Sequence, residues 1–166
     1  MGKNKAIFLD RDGVINKNRS DYVKDISELE IFSNVEKSIK SLRDYGFVIL
    51  VITNQSAVNR GLTSDANVRQ IHDCIQNHLK INSTYIDKFY YCPHRPDENC
   101  DCRKPQPGLI IKAVDEFDID LRKSWLIGDS ESDIKAANAV NCRSIKIESG
   151  LELENATNII LKSITT

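Results

Sequence analysis

Residues 6–16 read AIFLDRDGVIN. Four apolar side chains run straight into Asp10 and Asp12, with one arginine between them and Gly13 after. An unbroken apolar run of this length suits a strand buried on both faces, as in a parallel sheet covered by helices. Its carboxyl end is where open α/β sheets carry their ligands. Two carboxylates at that end repel each other, so they need a cation, or one must hold a proton.

The same pattern recurs outward from this segment. Phe47–Ile52, Ile86–Tyr91, Ser124–Ile127 and Arg143–Ile147 are short apolar runs that read as further strands. Helical spacing fills the gaps. Asn34–Tyr45 carries Val35, Ile39 and Leu42 on one face, with Gly46 placed to end it. Ser64–Lys80 aligns Val68, Ile71, Ile75 and Leu79, with Ser64 or Thr63 as N-cap. Pro107–Phe117 has proline in its first turn, Ser132–Val140 is another helix, and Asn158–Ile164 is a last, weakly specified element. Alternating strands and helices predict an α/β fold: a three-layer, Rossmann-like parallel sheet with helices on both faces. With 166 residues and no Pro-, Gly- or Ser-rich linker, 1–166 reads as a single domain.

Composition excludes several classes. Lys plus Arg number 23 against 24 for Asp plus Glu, so no global basic field draws the chain to nucleic acid or an anionic membrane. No apolar run approaches the roughly 20 residues of a membrane span. MGKNKAIFLDRD lacks the form of a signal peptide, and Ala6 spoils a myristoylation match. The expectation is a cytoplasmic monomer. Five cysteines, an odd number, argue against a disulfide framework.

Four polar clusters follow the strands and converge on one rim: Asp10 and Asp12, Thr53 and Asn54, Cys92 and His94, Gly128 and Asp129. Converging hard carboxylates, with Asp133 close behind, point to Mg²⁺. One carboxylate can attack phosphorus while the other moves protons. Thr53, Asn54 and Lys104 offer a hydroxyl, an amide and an ammonium to phosphoryl oxygens. Gly13 and Gly128 leave room for close backbone approach.

The segments LDRDGVIN, VITNQS, CRKPQPG and LIGDSESDI, in this order, resemble the four motifs of the haloacid-dehalogenase phosphatase superfamily over residues 6–142. The resemblance implies Asp10 as nucleophile and Asp12 as general acid/base. It implies Thr53 and Lys104 as phosphoryl binders. The Mg²⁺ site would comprise the Asp10 carboxylate, the Asp12 backbone carbonyl and Asp129, supported by Asp133.

Residues 92–105 read CPHRPDENCDCRKP. Cys92, His94, Cys100 and Cys102 make a closed tetrahedral set for structural Zn²⁺, in a loop (92–102) after the third strand that runs into Arg103 and Lys104. This loop resembles the zinc-containing branch of the superfamily, which holds the heptose bisphosphate phosphatases and the histidinol-phosphate phosphatases. Resemblance to that branch also implies no large cap domain. TNQSAVNRG (53–61) and KPQPGLI (104–110) resemble the heptose group, whereas the short metal loop resembles the histidinol group. The expected partner is therefore a small phosphorylated sugar, with histidinol phosphate as the alternative and a zinc-bearing binding module as the non-enzyme alternative.

Arg60 and Arg103 are candidates for a second phosphate, since a planar guanidinium fork suits that group. The stretch NRSDY resembles the substrate loop of this branch and makes Asn18, Arg19 and Tyr22 candidate sugar contacts. Gln55 and Ser56, within TNQS, complete the candidate substrate set. Arg11 is expected to orient backbone near the metal or to point outward. His72 and His78 read as surface or satisfied core residues, Trp125 as packing, and Cys74 and Cys142 as core cysteines.

Overall fold

The structure is a computed structural model that describes residues 3–165. The N-terminal Met1 and Gly2, where the myristoylation comparison falls, lie outside the described residues. Five strands form one parallel sheet: β1 (Lys5–Leu9), β2 (Phe47–Asn54), β3 (Lys88–Cys92), β4 (Trp125–Gly128) and β5 (Arg143–Lys146). Their order is β3-β2-β1-β4-β5, so β1 is central. Lys5 pairs with Phe47 and Leu9 with Val51 on one side, and Ile7 pairs with Trp125 on the other.

Alternation along the strands builds two cores. Ile7, Leu9, Ile49 and Val51 face α1 (Val35–Asp44), α2 (Asp65–Ile81) and α5 (Leu153–Thr165), which contribute Ile39, Ile71 and Ile160. Ala6, Phe8, Leu50 and Ile52 face α3 (Gly108–Phe117) and α4 (Glu131–Ala139), which contribute Ile110 and Ala136. This is the expected three-layer arrangement, and it buries both faces of β1 completely. Among the described residues the longest stretch between a strand and the next α-helix, 10–34, carries only a three-residue 3₁₀ turn.

Several element ends differ from the reading of periodicity. β2 continues to Asn54, because Asn54 pairs with Cys92 of β3. β3 begins at Lys88, not Ile86. Gln76 on α2 accepts from the Ile86 N–H at 2.9 Å and donates to the Ile86 carbonyl at 2.7 Å, diverting that residue from the ladder. α4 starts one residue early, at Glu131, since Ser130 and Asp133 form a reciprocal capping box ahead of it. α5 begins at Leu153 and runs longer than the expected 158–164. Cys142 is buried as expected, but Cys74 is exposed on the outer face of α2 and is not a core residue.

Candidate active site

The four loops at the carboxyl ends of β1, β2, β3 and β4 meet above the sheet. Asp10 follows β1 directly, and its N–H donates to Ile127 of β4 at 3.1 Å. Gly13 has φ +86, and a Cβ there would strike the Asp129 carboxylate. The bare glycine therefore lets the β1 and β4 loops close on each other.

Lys104 is brought in from beyond β3. Its backbone is clasped by the Asn54 side chain, which accepts from the Lys104 N–H at 3.0 Å and donates to its carbonyl at 3.1 Å. The buried ammonium then donates to the Ile52 carbonyl at 2.7 Å. It lies 3.1 Å from Asp10 Oδ1 and 2.5 Å from Asp133 Oδ1. Asp133 Oδ2 accepts from the Ser130 N–H and hydroxyl at 3.1 and 2.7 Å.

Asp10, Asp129 and Asp133 place carboxylate oxygens within 4.8 Å of one another. Burial pushes Asp10 up to about 7, and Asp133 and Asp12 add to this, although Lys104 opposes it. Asp129 is also raised, by burial and by Asp133. Lys104 keeps its charge because the two carboxylates outweigh its own burial. Three carboxylates sharing one ammonium leave an excess of negative charge, and an oxygen-only donor set of this kind fits a divalent cation.

Asp12 has different company. The Arg11 guanidinium donates to it from Nε and Nη2 at 3.0–3.2 Å, Asn16 donates at 2.9 Å, and Gln55 donates at 2.7 Å. Arg11 has no exposed surface at all, which corrects the alternative that it points outward. Its Nη1 lies 3.4 Å from Nε2 of His72, a buried ring stacked on Phe89 at 4.5 Å. Burial holds His72 down to about 3, with the Arg11 charge adding to it, so the ring is neutral.

Cys92, His94, Cys100 and Cys102 gather beside this site. In five of the six pairs the sulfur and nitrogen atoms stand 3.2–3.6 Å apart. Tetrahedral zinc bonds of ~2.0–2.3 Å give ligand–ligand edges of about 3.4–3.8 Å. The cluster therefore fits a closed four-coordinate zinc site. Arg103 donates to the His94 carbonyl at 3.2 Å, tying the metal loop to the residue before Lys104.

A cavity of about 320 Å³ opens over Asp10, Asp12, Thr53, Asn54, Lys104 and Asp129. Asn18, Arg19 and Tyr22 line its outer wall. Arg19 is engaged with Asp21 at 3.0 Å and Glu28 at 3.7 Å, and Lys24 joins the same two acids, which stiffens this loop. Arg103 lines a neighbouring cavity of about 170 Å³ instead. Arg60 is exposed and donates to the Ser56 hydroxyl at 3.4 Å. Gln55 and Ser56 do not line the main cavity, because both are buried beneath its floor.

The comparisons with known proteins agree with this geometry. A HAD-hydrolase-like family model matches residues 101–161. The chain is 42% identical over 137 residues to the D-glycero-beta-D-manno-heptose-1,7-bisphosphate 7-phosphatase of Helicobacter pylori, covering 82% of this chain and 79% of that one. It is 36% identical over 171 residues to the enzyme of the same name from Escherichia coli K12, covering 96% and 89%. The chain belongs to the haloacid-dehalogenase-like phosphatases. The fold agrees with a crystal structure of D,D-heptose 1,7-bisphosphate phosphatase from B. bronchiseptica complexed with magnesium and phosphate. The TM-score is 0.90 at 29% identity, over 96% of this chain and 99% of that one. As a haloacid-dehalogenase-like phosphatase, the chain is a phosphoric monoester hydrolase.

Sequence reasoning gave Arg11 and His72 no chemistry at this site and read Gln55 as a substrate contact, whereas the structure makes Gln55 an inner partner of Asp12. The only signal was the arginine held between two aspartates, which needs an acceptor wherever it lies.

Proposed function

We propose that this phosphatase removes the 7-phosphate of D-glycero-β-D-manno-heptose 1,7-bisphosphate through an aspartyl-phosphate. The observation that carries the reading is the division of the acids, with Asp10 against Lys104 beneath an open cavity and Asp12 in a separate cage at its edge. The relatives' names support the sugar bisphosphate.

In the first step an Asp10 carboxylate oxygen attacks phosphorus and the sugar C–O–P ester bond breaks at phosphorus. Asp12 gives its proton to the departing sugar oxygen. In the second step water attacks the phosphoryl group, Asp12 takes the water's proton, and the Asp10 carboxylate is restored as phosphate leaves. Lys104 and Thr53 hold the phosphoryl oxygens in both steps. Mg²⁺ held by Asp10, the Asp12 carbonyl and Asp129, with Asp133 in support, supplies positive charge against those oxygens when bound. Cys92, His94, Cys100 and Cys102 would hold a structural zinc ion, which would fix the loop that delivers Lys104. The open cavity fits a single domain without a cap, with Asn18, Arg19 and Tyr22 meeting the sugar and Arg103 or Arg60 the far phosphate. A doubly phosphorylated sugar is too charged to cross a membrane, so enzyme and substrate share one compartment, which this reading takes to be the cytoplasm.

The test is phosphate release with Mg²⁺ from both anomers of heptose 1,7-bisphosphate and from histidinol phosphate, with Asp10→Asn as blank. Preference for the β-bisphosphate supports the reading. Preference for histidinol phosphate, which the short metal loop favours, overturns the substrate and keeps the chemistry.

A further inference from the structure

Gln55 is 2% exposed and its side chain makes three hydrogen bonds, each to another side chain. Its Oε1 accepts from Arg11 Nη2 at 3.1 Å. A guanidinium has no acceptor, so this contact decides which end of the amide is oxygen. The Nε2 hydrogens are thereby turned to the other side. One reaches Asp12 Oδ2 at 2.7 Å and the other Thr53 Oγ1 at 2.9 Å. Thr53 is thus forced to accept on its inner side, and its own hydroxyl hydrogen is left for the cavity it lines.

We infer that Gln55, its amide oriented by buried Arg11, is a positioning residue that fixes the Thr53 hydroxyl as a donor toward the phosphoryl group and steadies Asp12. This deepens the phosphatase reading and rests on it for the role of Thr53. The relay has a direction set by chemistry. Arg11 donates to Gln55, Gln55 donates to Thr53, and Thr53 donates to substrate. Arg11 is in turn held by a neutral ring, His72, on its far side.

Gln55→Glu tests the direction. The carboxylate is nearly isosteric and pairs with Arg11, so the buried site keeps a partner for its guanidinium. It has no N–H for Thr53 or for Asp12 Oδ2, however, so the Thr53 hydroxyl turns inward to it and stops donating to substrate, while the Asp12 share of the loss is the part that survives in a Thr53→Val background. Losing one such donor costs about 100-fold or more in kcat. The assay is kcat and KM for p-nitrophenyl phosphate and for the heptose bisphosphate, in Gln55→Glu, Thr53→Val and the double variant.

The expected result is a loss of about 100-fold in kcat for Gln55→Glu on both substrates, and a loss at least tenfold smaller when the same change is made in the Thr53→Val background. A single-variant loss under threefold overturns the inference. So does an equal loss in both backgrounds, which would mean that Gln55 acts independently of Thr53. If Gln55→Glu does not fold, Gln55→Met carries the cycle with the same criterion of non-additivity. Wild-type activity on p-nitrophenyl phosphate but not on the heptose compound would sink the substrate proposal alone, and leave the cycle readable.

Discussion

Replacing Lys104 by methionine separates the electrostatic and structural roles of the cluster. All three ammonium hydrogens are placed: Ile52 carbonyl at 2.7 Å, Asp133 at 2.5 Å and Asp10 at 3.1 Å. The lysine side chain is 2% exposed, and those of Asp133 and Asp10 are 0% and 13%. Methionine fills the space but strands two carboxylates. Breaking a buried pair from one side costs about 3–5 kcal/mol, chiefly because the remaining charge is uncompensated. Against a typical total of roughly 5–15 kcal/mol, Lys104→Met falls close to the unfolding threshold. Adding Asp133→Asn removes one stranded charge while the amide oxygen can still accept from Ser130. About half the lost stability should return, while activity should stay absent on the proposed mechanism, in which Lys104 is the cation for the phosphoryl oxygens. Urea unfolding in Mg²⁺-free buffer without chelator measures both variants, and phosphate release measures activity. A loss under about 1 kcal/mol in Lys104→Met at unchanged m-value would refute the reasoning, because it would mean that the lysine does not hold two charged partners.

Three further outcomes are expected. Asp10 is raised to about 7 by burial and its acidic neighbours, so Mg²⁺-free protein should lose stability as pH rises from about 4 through 7; Mg²⁺ should remove most of that slope, and parallel melts with and without it check this. His72 is lowered to about 3, so it binds a proton only when unfolded between there and its ordinary 6.5. Stability should therefore fall by about 1.4 kcal/mol per unit below pH 6.5 on this account, and His72→Gln should lack that component in urea melts at pH 7.5, 6 and 5. Cys100→Ser should lower bound zinc and the thermal midpoint together, read by metal analysis and calorimetry; unchanged zinc would remove the clip holding the Lys104 loop.

The sheet was legible because β1 and β2 are buried on both faces, and an uninterrupted apolar run is the direct trace of that burial. The rim was legible for a related reason: once the strands are parallel, residues such as Asp10, Thr53 and Asp129 must emerge on one side. The Cys/His cluster was legible because its four side chains lie within eleven residues of chain. What local sequence does not carry is the surroundings of a side chain that depends on distant partners. Arg11 meets Gln55 from 44 residues away and His72 from 61. Nothing near position 11 marks it as fully buried. The start of β3 was hidden similarly, since Gln76 on α2 takes up the backbone of Ile86. Cys74 misled because it sits next to the buried Ile75 in sequence, but one residue along a helix turns the side chain by about 100°, from core to surface.

Two like charges at the end of one strand coexist here because each has its own cation. Side chains at positions 10 and 12 diverge around Arg11, and the loop closes with Gly13. Asp10 turns toward β4 and α4, where it meets Lys104 and the carboxylates of Asp129 and Asp133. Asp12 turns toward Arg11, Asn16 and Gln55. The first environment leaves negative charge in excess and suits a nucleophile that shares a divalent ion. The second surrounds its carboxylate with donors from three residues and sets it apart from that ion's carboxylates. Arg11 therefore does more than separate the two acids along the chain. By pairing with Asp12 within the fold, it leaves Lys104 to Asp10 and Asp133, so that the acidic pair becomes two groups with different surroundings, as the proposed division of nucleophile and acid/base requires.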